Sequence, residues 1–222
     1  MKSISIIIPA FNEANVIQDT IAAAKSLENI DEVIVIDDGS QDNTWEIAQS
    51  CGAKGIRSIK NEGKGSALQK GLHICNGDII VFLDADVGSS AVEISKIIHP
   101  VLTDRCDVCI AKFGKAKKKG GVGMVKFISR FGTRILSGKN VESVLSGQRA
   151  FKSEVLCNIQ IADGYGAEVG MTIDILRKGY TIMECEVNMT HQETGRDLKG
   201  FIHRGRQAVH IMAVLFRKAL FK

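Results

Sequence analysis

The 222-residue sequence has only two prolines and no low-complexity tract, which argues against long disordered segments. Internal repeats are absent too, so a solenoid or propeller is not expected. No stretch approaches the roughly 20 apolar residues that a bilayer-crossing helix needs. The opening Met1-Lys2-Ser3-Ile4-Ser5-Ile6-Ile7-Ile8-Pro9 is expected to be too short in its apolar part for a secretory signal. Excess charge of one sign is also missing: 29 basic against 25 acidic residues leave a net of +4, too mild to predict nucleic acid as a partner. The six cysteines (Cys51, Cys75, Cys106, Cys109, Cys157 and Cys185) are scattered through regular segments in the manner of reduced thiols, so a cytoplasmic protein is expected. Cys106 and Cys109 form a C-x-x-C, but no second pair accompanies it to complete a zinc set. On a strand over 107–112 the two thiols are expected on opposite faces. There is no G-x-x-x-x-G-K-[ST] phosphate loop, and Gly63-x-Gly65-x-x-Leu68 has leucine where a dinucleotide fingerprint needs a small residue.

What is present is an alternation. Apolar runs at 4–8, 32–36, 56–59 and 79–83 read as strands buried on both faces. Helical patterns over 13–27, 42–51 and 65–74 separate them, with Asn12 and then Asp42 or Asn43 as candidate caps. This predicts a Rossmann-like, mostly parallel central sheet flanked by helices, with right-handed crossovers. The second half is less regular: helices over 91–102, 122–136 and 166–177, and strands over 107–112, 146–152 and 180–187. With 45% hydrophobic residues the chain can bury the core of one α/β domain.

Four polar clusters fall at the carboxyl ends of the first four strands, where open α/β sheets bind ligands. They are Pro9-Ala10-Phe11-Asn12-Glu13, Asp37-Asp38-Gly39-Ser40, Asn61-Glu62-Gly63-Lys64-Gly65 and Asp84-Ala85-Asp86. Singly, each is ordinary turn chemistry; together they can serve a nucleoside diphosphate. Asp37 or Asp38 can accept from a base imide, and Glu13 from ribose hydroxyls. Lys64 sits on a glycine-flanked turn as a cation for phosphate or for the acidic rim. Asp84 and Asp86 offer hard oxygen ligands for a divalent cation on the diphosphate. Asp78, before its strand, belongs at the opposite edge.

On these four motifs the first 90 residues resemble the family 2 glycosyltransferases, which implies an A-type glycosyltransferase fold. It also implies a nucleoside-diphosphate sugar donor, UDP-sugar favoured, with Mg²⁺ or Mn²⁺ as cofactor. Pro9, Ala10, Phe11, Glu13, Asp37, Asp38, Lys64, Asp84 and Ala85 would line the donor site. Ser146-Gly147-Gln148-Arg149, Gly164-Tyr165-Gly166-Ala167-Glu168 and Thr190-His191 are similar in order and spacing to the glucosyl-3-phosphoglycerate synthases. By that resemblance His191 joins Asp86 and Asp84 on the metal. Ser146, Gly147, Gln148, Tyr165 and Glu168 line the sugar and acceptor site, and Asp86, Glu168 and Lys64 carry catalysis. Those synthases have an arginine two residues before the histidine; here that position is Met189, and the chain is shorter. The dolichyl-phosphate mannose synthases share the first-half motifs, so the acceptor is either a small molecule or a lipid phosphate. An inverting enzyme needs a carboxylate at the acceptor hydroxyl, Glu168 or Asp163; the nearer resemblance is to retaining enzymes.

The expected organisation is a glycosyltransferase domain over 1–197, with a nucleotide-binding half (1–90) and a sugar and acceptor half (91–197), followed by a basic amphipathic helix over 198–222. Lys115, Lys117, Lys118 and Lys119 read as a solvated loop, a lid over phosphates or a contact to anionic lipid. In the tail, Val209, Met212, Ala213 and Phe216 form one stripe between basic ends. Residues 203–222 can lie in a membrane interface, pack on the domain or pair two copies. Two rivals remain open: a sugar-phosphate nucleotidyltransferase, whose Gly-x-Gly-Thr-Arg loop is absent after the first strand, and a nucleotide-sugar-binding or membrane-docking protein without turnover.

Overall fold

The apolar runs form the centre of a seven-stranded sheet. The computed structural model describes residues 2–114, 123–161, 164–189 and 198–220. In chain order the elements are β1 (Ile4–Ala10), α1 (Ile17–Lys25), β2 (Glu32–Asp37), α2 (Thr44–Ser50), β3 (Lys54–Arg57), α3 (Lys64–Ile74) and β4 (Ile79–Phe82). A 3-10 segment (Ala85–Ile94) leads to α4 (Ser95–Leu102), β5 (Val108–Phe113), α5 (Gly123–Ser137), β6 (Arg149–Lys152) and α6 (Ser153–Cys157). A 3-10 turn (Gly164–Gly166), α7 (Ala167–Arg177), β7 (Ile182–Val187) and α8 (Leu198–Leu220) complete it.

Strand order is β3-β2-β1-β4-β6-β5-β7. β1 pairs in parallel with β2 and β4, β2 with β3, and β5 with β7, while β6 runs antiparallel to both β4 and β5. Every strand but β6 therefore ends at one rim. The pleat sends alternate residues to opposite faces. Ile4, Ile6 and Ile8 meet Ile17 and Ile21 of α1 and Ile97 and Val101 of α4 on one face. Ile7, Ile34, Ile36 and Phe82 meet Leu68 of α3 and Ile173 of α7 on the other. Two cores clamp the sheet, as expected of an α/β fold.

Several expectations shift. The third strand lies two residues early, and Ile59 is fully exposed. The strand expected over 146–152 starts only at Arg149, which leaves 146–148 as a loop. Asn12 does not cap α1: it takes a left-handed φ of 57° and its Oδ1 accepts from the Gln41 amide. The Cys106 and Cys109 side chains do not diverge; Cys106 precedes β5, so strand alternation does not govern it, and both are buried in the same core. Asp78 does lie at the far edge, accepting from the Ser3 amide and hydroxyl. An open concavity of about 560 Å³ there is lined by Lys2, Asp78, Asp104 and Lys152. Its charges satisfy one another, Lys2 and Lys152 both reaching Asp104.

Of the readings open for the tail, packing on the domain is observed. Arg177 of α7 donates from Nε to Leu136 O at the end of α5 and from a terminal nitrogen to Lys218 O near the end of α8, at 3.0 and 2.8 Å. Lys218 also pairs with Asp174. Gly132 lets α5 and α8 approach, since a Cβ there would stand 2.5 Å from the Leu215 side chain.

Candidate active site

The loops after β1 and β2 are stitched into one wall. The amides of Asn12, Glu13 and Ala14 donate to Ser40 Oγ, Thr44 Oγ1 and Asp42 Oδ2 at 2.9, 2.8 and 3.1 Å. Asp42 also accepts from the Thr44 amide, the first of α2, so of the two candidate caps it is Asp42 that bonds the helix start. Asp38 holds the next loop: its two oxygens accept from the Glu62 and Gly63 amides at 2.9 and 2.7 Å. Asp37 is fully buried; Oδ1 accepts from the Ser40 amide, and Oδ2 stands 3.2 Å from Arg57 Nε without hydrogen-bond geometry. Gly39 carries a φ of 78°, and a Cβ on it would stand 2.7 Å from the Lys60 backbone. Both aspartates thus shape the wall that was expected to meet a base. Pro9 and Ala10 end β1 beneath it, and Phe11 is exposed at the rim.

The centre of the rim is an ion-pair network from four places in the sequence. Lys64, the first residue of α3, sets Nζ 2.5 Å from Asp84 Oδ1 and 3.4 Å from Glu168 Oε1. Burial works against its charge, but Asp84 and Glu168 prevail and hold the ammonium above its usual range. Gln148 donates from Nε2 to Asp84 Oδ2 at 2.7 Å, and Ser146 Oγ stands 3.4 Å from Gln148 Oε1. Gly147 leaves room for this network: a Cβ there would displace Lys64 Nζ and stand 2.8 Å from Asp84 Oδ2. Because β6 is antiparallel, its amino end meets the carboxyl ends of its neighbours, and that brings 146–148 to the rim.

Arg149 locks this loop from below. It is wholly buried and donates from Nε to Ser146 O, and from its terminal nitrogens to Thr172 Oγ1 and Val144 O, at 2.8, 2.9 and 2.6 Å. Burial pushes its pKa down to about 10, so it stays charged at neutral pH. Nothing in the sequence around Arg149 signals this role. A long basic side chain beginning a strand looks like a surface residue until its three acceptors are seen.

Negative charge accumulates beside the network. Glu13 is pushed up to about 7, first by partial burial and then by Asp86, Asp42 and Asp84. Such a surplus is the condition a divalent cation relieves. Among the described residues no three His, Cys, Asp or Glu groups form a ready metal cage. That still fits Mg²⁺ or Mn²⁺, which takes one or two carboxylates and fills the rest with phosphate oxygens and water. Asp84 lies two residues past β4 and just before the 3-10 segment, and Asp86 is in the first turn of that segment, where Thr20 Oγ1 donates to Ala85 O at 2.7 Å. His191, Asp163 and Lys115, Lys117, Lys118 and Lys119 lie outside the described residues, as does the Tyr165 side chain.

Comparison with known proteins identifies the family. The family model "Glycosyl transferase family 2" matches residues 5–157. The chain belongs to that family. It is 31% identical over 208 residues to an uncharacterised protein of Methanocaldococcus jannaschii, covering 84% of this chain and 88% of that one. It is 29% identical over 199 residues to the glucosyl-3-phosphoglycerate synthase of Mycobacterium tuberculosis, covering 78% of this chain and 60% of that one. The crystal structure of that synthase with Mn²⁺, UDP and phosphoglyceric acid matches with a TM-score of 0.82 at 26% identity, over 98% of this chain and 78% of the other. A structure of the same synthase with Mg²⁺ and UDP has the same TM-score. The family 2 glycosyltransferase fold is therefore the one predicted, an A-type α/β domain with a mostly parallel sheet.

Proposed function

We propose that this family 2 glycosyltransferase moves a hexosyl group from a UDP-sugar to an acceptor, using Mg²⁺ or Mn²⁺. The observation that carries the reading is the Lys64–Asp84–Gln148–Glu168 network at the carboxyl rim, with the Glu13 and Asp86 charge beside it. The relatives' complexes support it, since the structurally similar synthase holds UDP with either metal. Residues 1–90 would bind the nucleotide and 91–197 the sugar and acceptor.

Asp86 and Asp84 would hold the cation, with His191 as a third ligand. When bound, the metal supplies positive charge to the diphosphate as it leaves. Lys64 keeps a second, fixed positive charge at the same place, oriented in advance by Asp84 and Glu168. Gln148 fixes the Asp84 carboxylate, so the ligand oxygens are set before substrate arrives. Glu168 has one oxygen near Lys64 and offers the other to sugar or acceptor hydroxyls. Held in an ion pair, it serves as an anchor in a retaining reaction.

The acceptor is a separate matter. Met189 stands where the synthases carry an acceptor-binding arginine, and its side chain is buried in the core. No cation from that position meets a phosphoglycerate, which supports an acceptor other than 3-phosphoglycerate.

Calorimetric titration of UDP and GDP, with and without Mn²⁺, tests the donor site on wild type and Asp86→Ala. UDP is expected to bind only with Mn²⁺, and the variant to lose at least about tenfold in affinity. Wild-type protein that binds neither diphosphate, or a variant that binds UDP as wild type does, would overturn the reading.

A further inference from the structure

Two helices carry apolar side chains that the fold leaves outside. On α5, Met124, Phe127, Phe131 and Ile135 are 73%, 65%, 54% and 64% exposed. On α8, Val209, Met212, Phe216 and Leu220 are 59%, 49%, 67% and 64% exposed. Both sets repeat at intervals of three and four residues, so each is one stripe along its helix. The inner faces of the two helices are satisfied by Val125, Ser129 and Thr133 on α5 and by Ile211 and Val214 on α8. Both helices rest on α7 and touch each other at Gly132 and Leu215. The two stripes therefore run side by side and face away from the domain. Phe127 and Phe131 are stacked in the open, with centroids 5.6 Å apart. Eight large apolar side chains on one face is more than scattered surface hydrophobics.

The charge of the same helices identifies what covers them. Neither the 15 residues of α5 nor the 23 of α8 include an aspartate or glutamate. They do include Lys126, Arg130 and Arg134 on α5, and Lys199, Arg204, Arg206, Arg217 and Lys218 on α8. The whole chain is nearly balanced, at 29 basic to 25 acidic, so these two helices concentrate one sign. Lys126, Arg130, Arg134 and Arg217 are exposed beside the stripes. A second copy of the chain would press this basic face against itself, because a twofold contact is self-complementary. A surface that is apolar and anionic answers both properties, and no described helix is long and apolar enough to cross a membrane.

We propose that the outer faces of α5 and α8 together dock the protein flat on an anionic lipid bilayer. The phenylalanines, methionines and aliphatic side chains enter the acyl boundary, and the lysines and arginines meet the headgroup phosphates. The sequence suggests such a role for the tail and for the Lys115–Lys119 segment; the exposed stripe of α5 doubles the apolar contact of the tail. The inner side of α8 touches the 3-10 turn that leads into Glu168, since a Cβ on Gly166 would stand 2.5 Å from Val214. Docking thus sets the bilayer beside the acceptor end of the site, with α8 between them.

Flotation with phosphatidylcholine vesicles, with and without phosphatidylglycerol, tests this on the full chain. Wild type is expected to float with the mixed vesicles, to bind phosphatidylcholine alone at least roughly tenfold less, and to dissociate as salt rises. Phe131→Gln/Phe216→Gln and Arg134→Glu/Arg217→Glu are each expected to lose binding by roughly tenfold or more. Both pairs are exposed, so these variants are expected to unfold at the wild-type temperature. Failure of wild type to float, or equal flotation of the folded variants, overturns the proposal. A vesicle-free dimer in sedimentation velocity that the phenylalanine variant dissociates would assign the face to a second copy and overturn it as well.

Discussion

The carboxyl of Glu13 is held up at about 7 by partial burial and by three aspartates around it, Asp86, Asp42 and Asp84. A carboxyl whose folded pKa exceeds its ordinary 4.5 binds its proton more tightly in the native state. Its contribution to stability is complete below 4.5 and is lost as pH rises through 7. Glu13→Gln removes that loss. In the metal-free protein the variant is expected to be more stable than wild type at pH 8 by about 1 kcal/mol, after discounting for partial exposure. Near pH 5 the difference is expected to shrink toward zero. Calorimetric melts in EDTA at the two pH values check it; an equal gain at both would show that the effect is packing. The acidic residues of this rim were legible one by one, because each follows an apolar run. Their effect on one another was not, because it depends on through-space distance between three loops.

At the scale of elements, the antiparallel β6 matters most. A parallel strand in its position would have carried 146–148 to the far edge of the sheet. Arg149 maintains the loop it feeds, with three hydrogen bonds to Ser146 O, Thr172 Oγ1 and Val144 O. Arg149→Met keeps the apolar bulk, removes the donor to the Ser146 and Val144 carbonyls and leaves Thr172 Oγ1 only its bond to Glu168 O, at a cost of about 2–4 kcal/mol. For a chain of this size that lowers the melting temperature by roughly 4–16 °C, readable in a thermal melt. The Arg149→Lys variant is expected to recover little of this, because an ammonium lacks the planar fork that serves three acceptors. The first four strands were legible as apolar runs flanked by turn chemistry. The third was misplaced because Ile56 and Ile59 look alike in sequence, while only the edge pairing of β3 with Ile34–Asp37 decides which enters the sheet. The short α6 was missed for the opposite reason: five residues carry too little periodicity to read.

For the molecule as a whole, nucleotide and metal should act on one folding unit. Both cores clamp the sheet whose rim holds the network, so ligand bound there stabilises the whole domain. UDP at 100 times its dissociation constant adds about 2.7 kcal/mol, or roughly 5–10 °C in melting temperature at this chain length. The shift is expected with Mn²⁺ present, and to be largely absent with UDP alone or in Asp84→Asn. A full shift without metal would separate nucleotide binding from the two aspartates. The chain spans 60% of the mycobacterial synthase's length, so acceptor specificity need not follow that relative.

Sequence alone determined the alternation of strand and helix, the four polar clusters and the family they match, because buried strands need continuous apolar runs and turns need particular residues. It also determined that Asp84, Lys64 and Glu13 would share a rim, since all follow strands of one parallel sheet. Only the tertiary structure decided that Gln148 and Glu168 close on Asp84 and Lys64, that Arg149 is buried, and that α5 and α8 lie together with their apolar stripes outward. Those facts depend on the direction of β6 and on how helices distant in sequence pack upon α7, and no local pattern of residues encodes either.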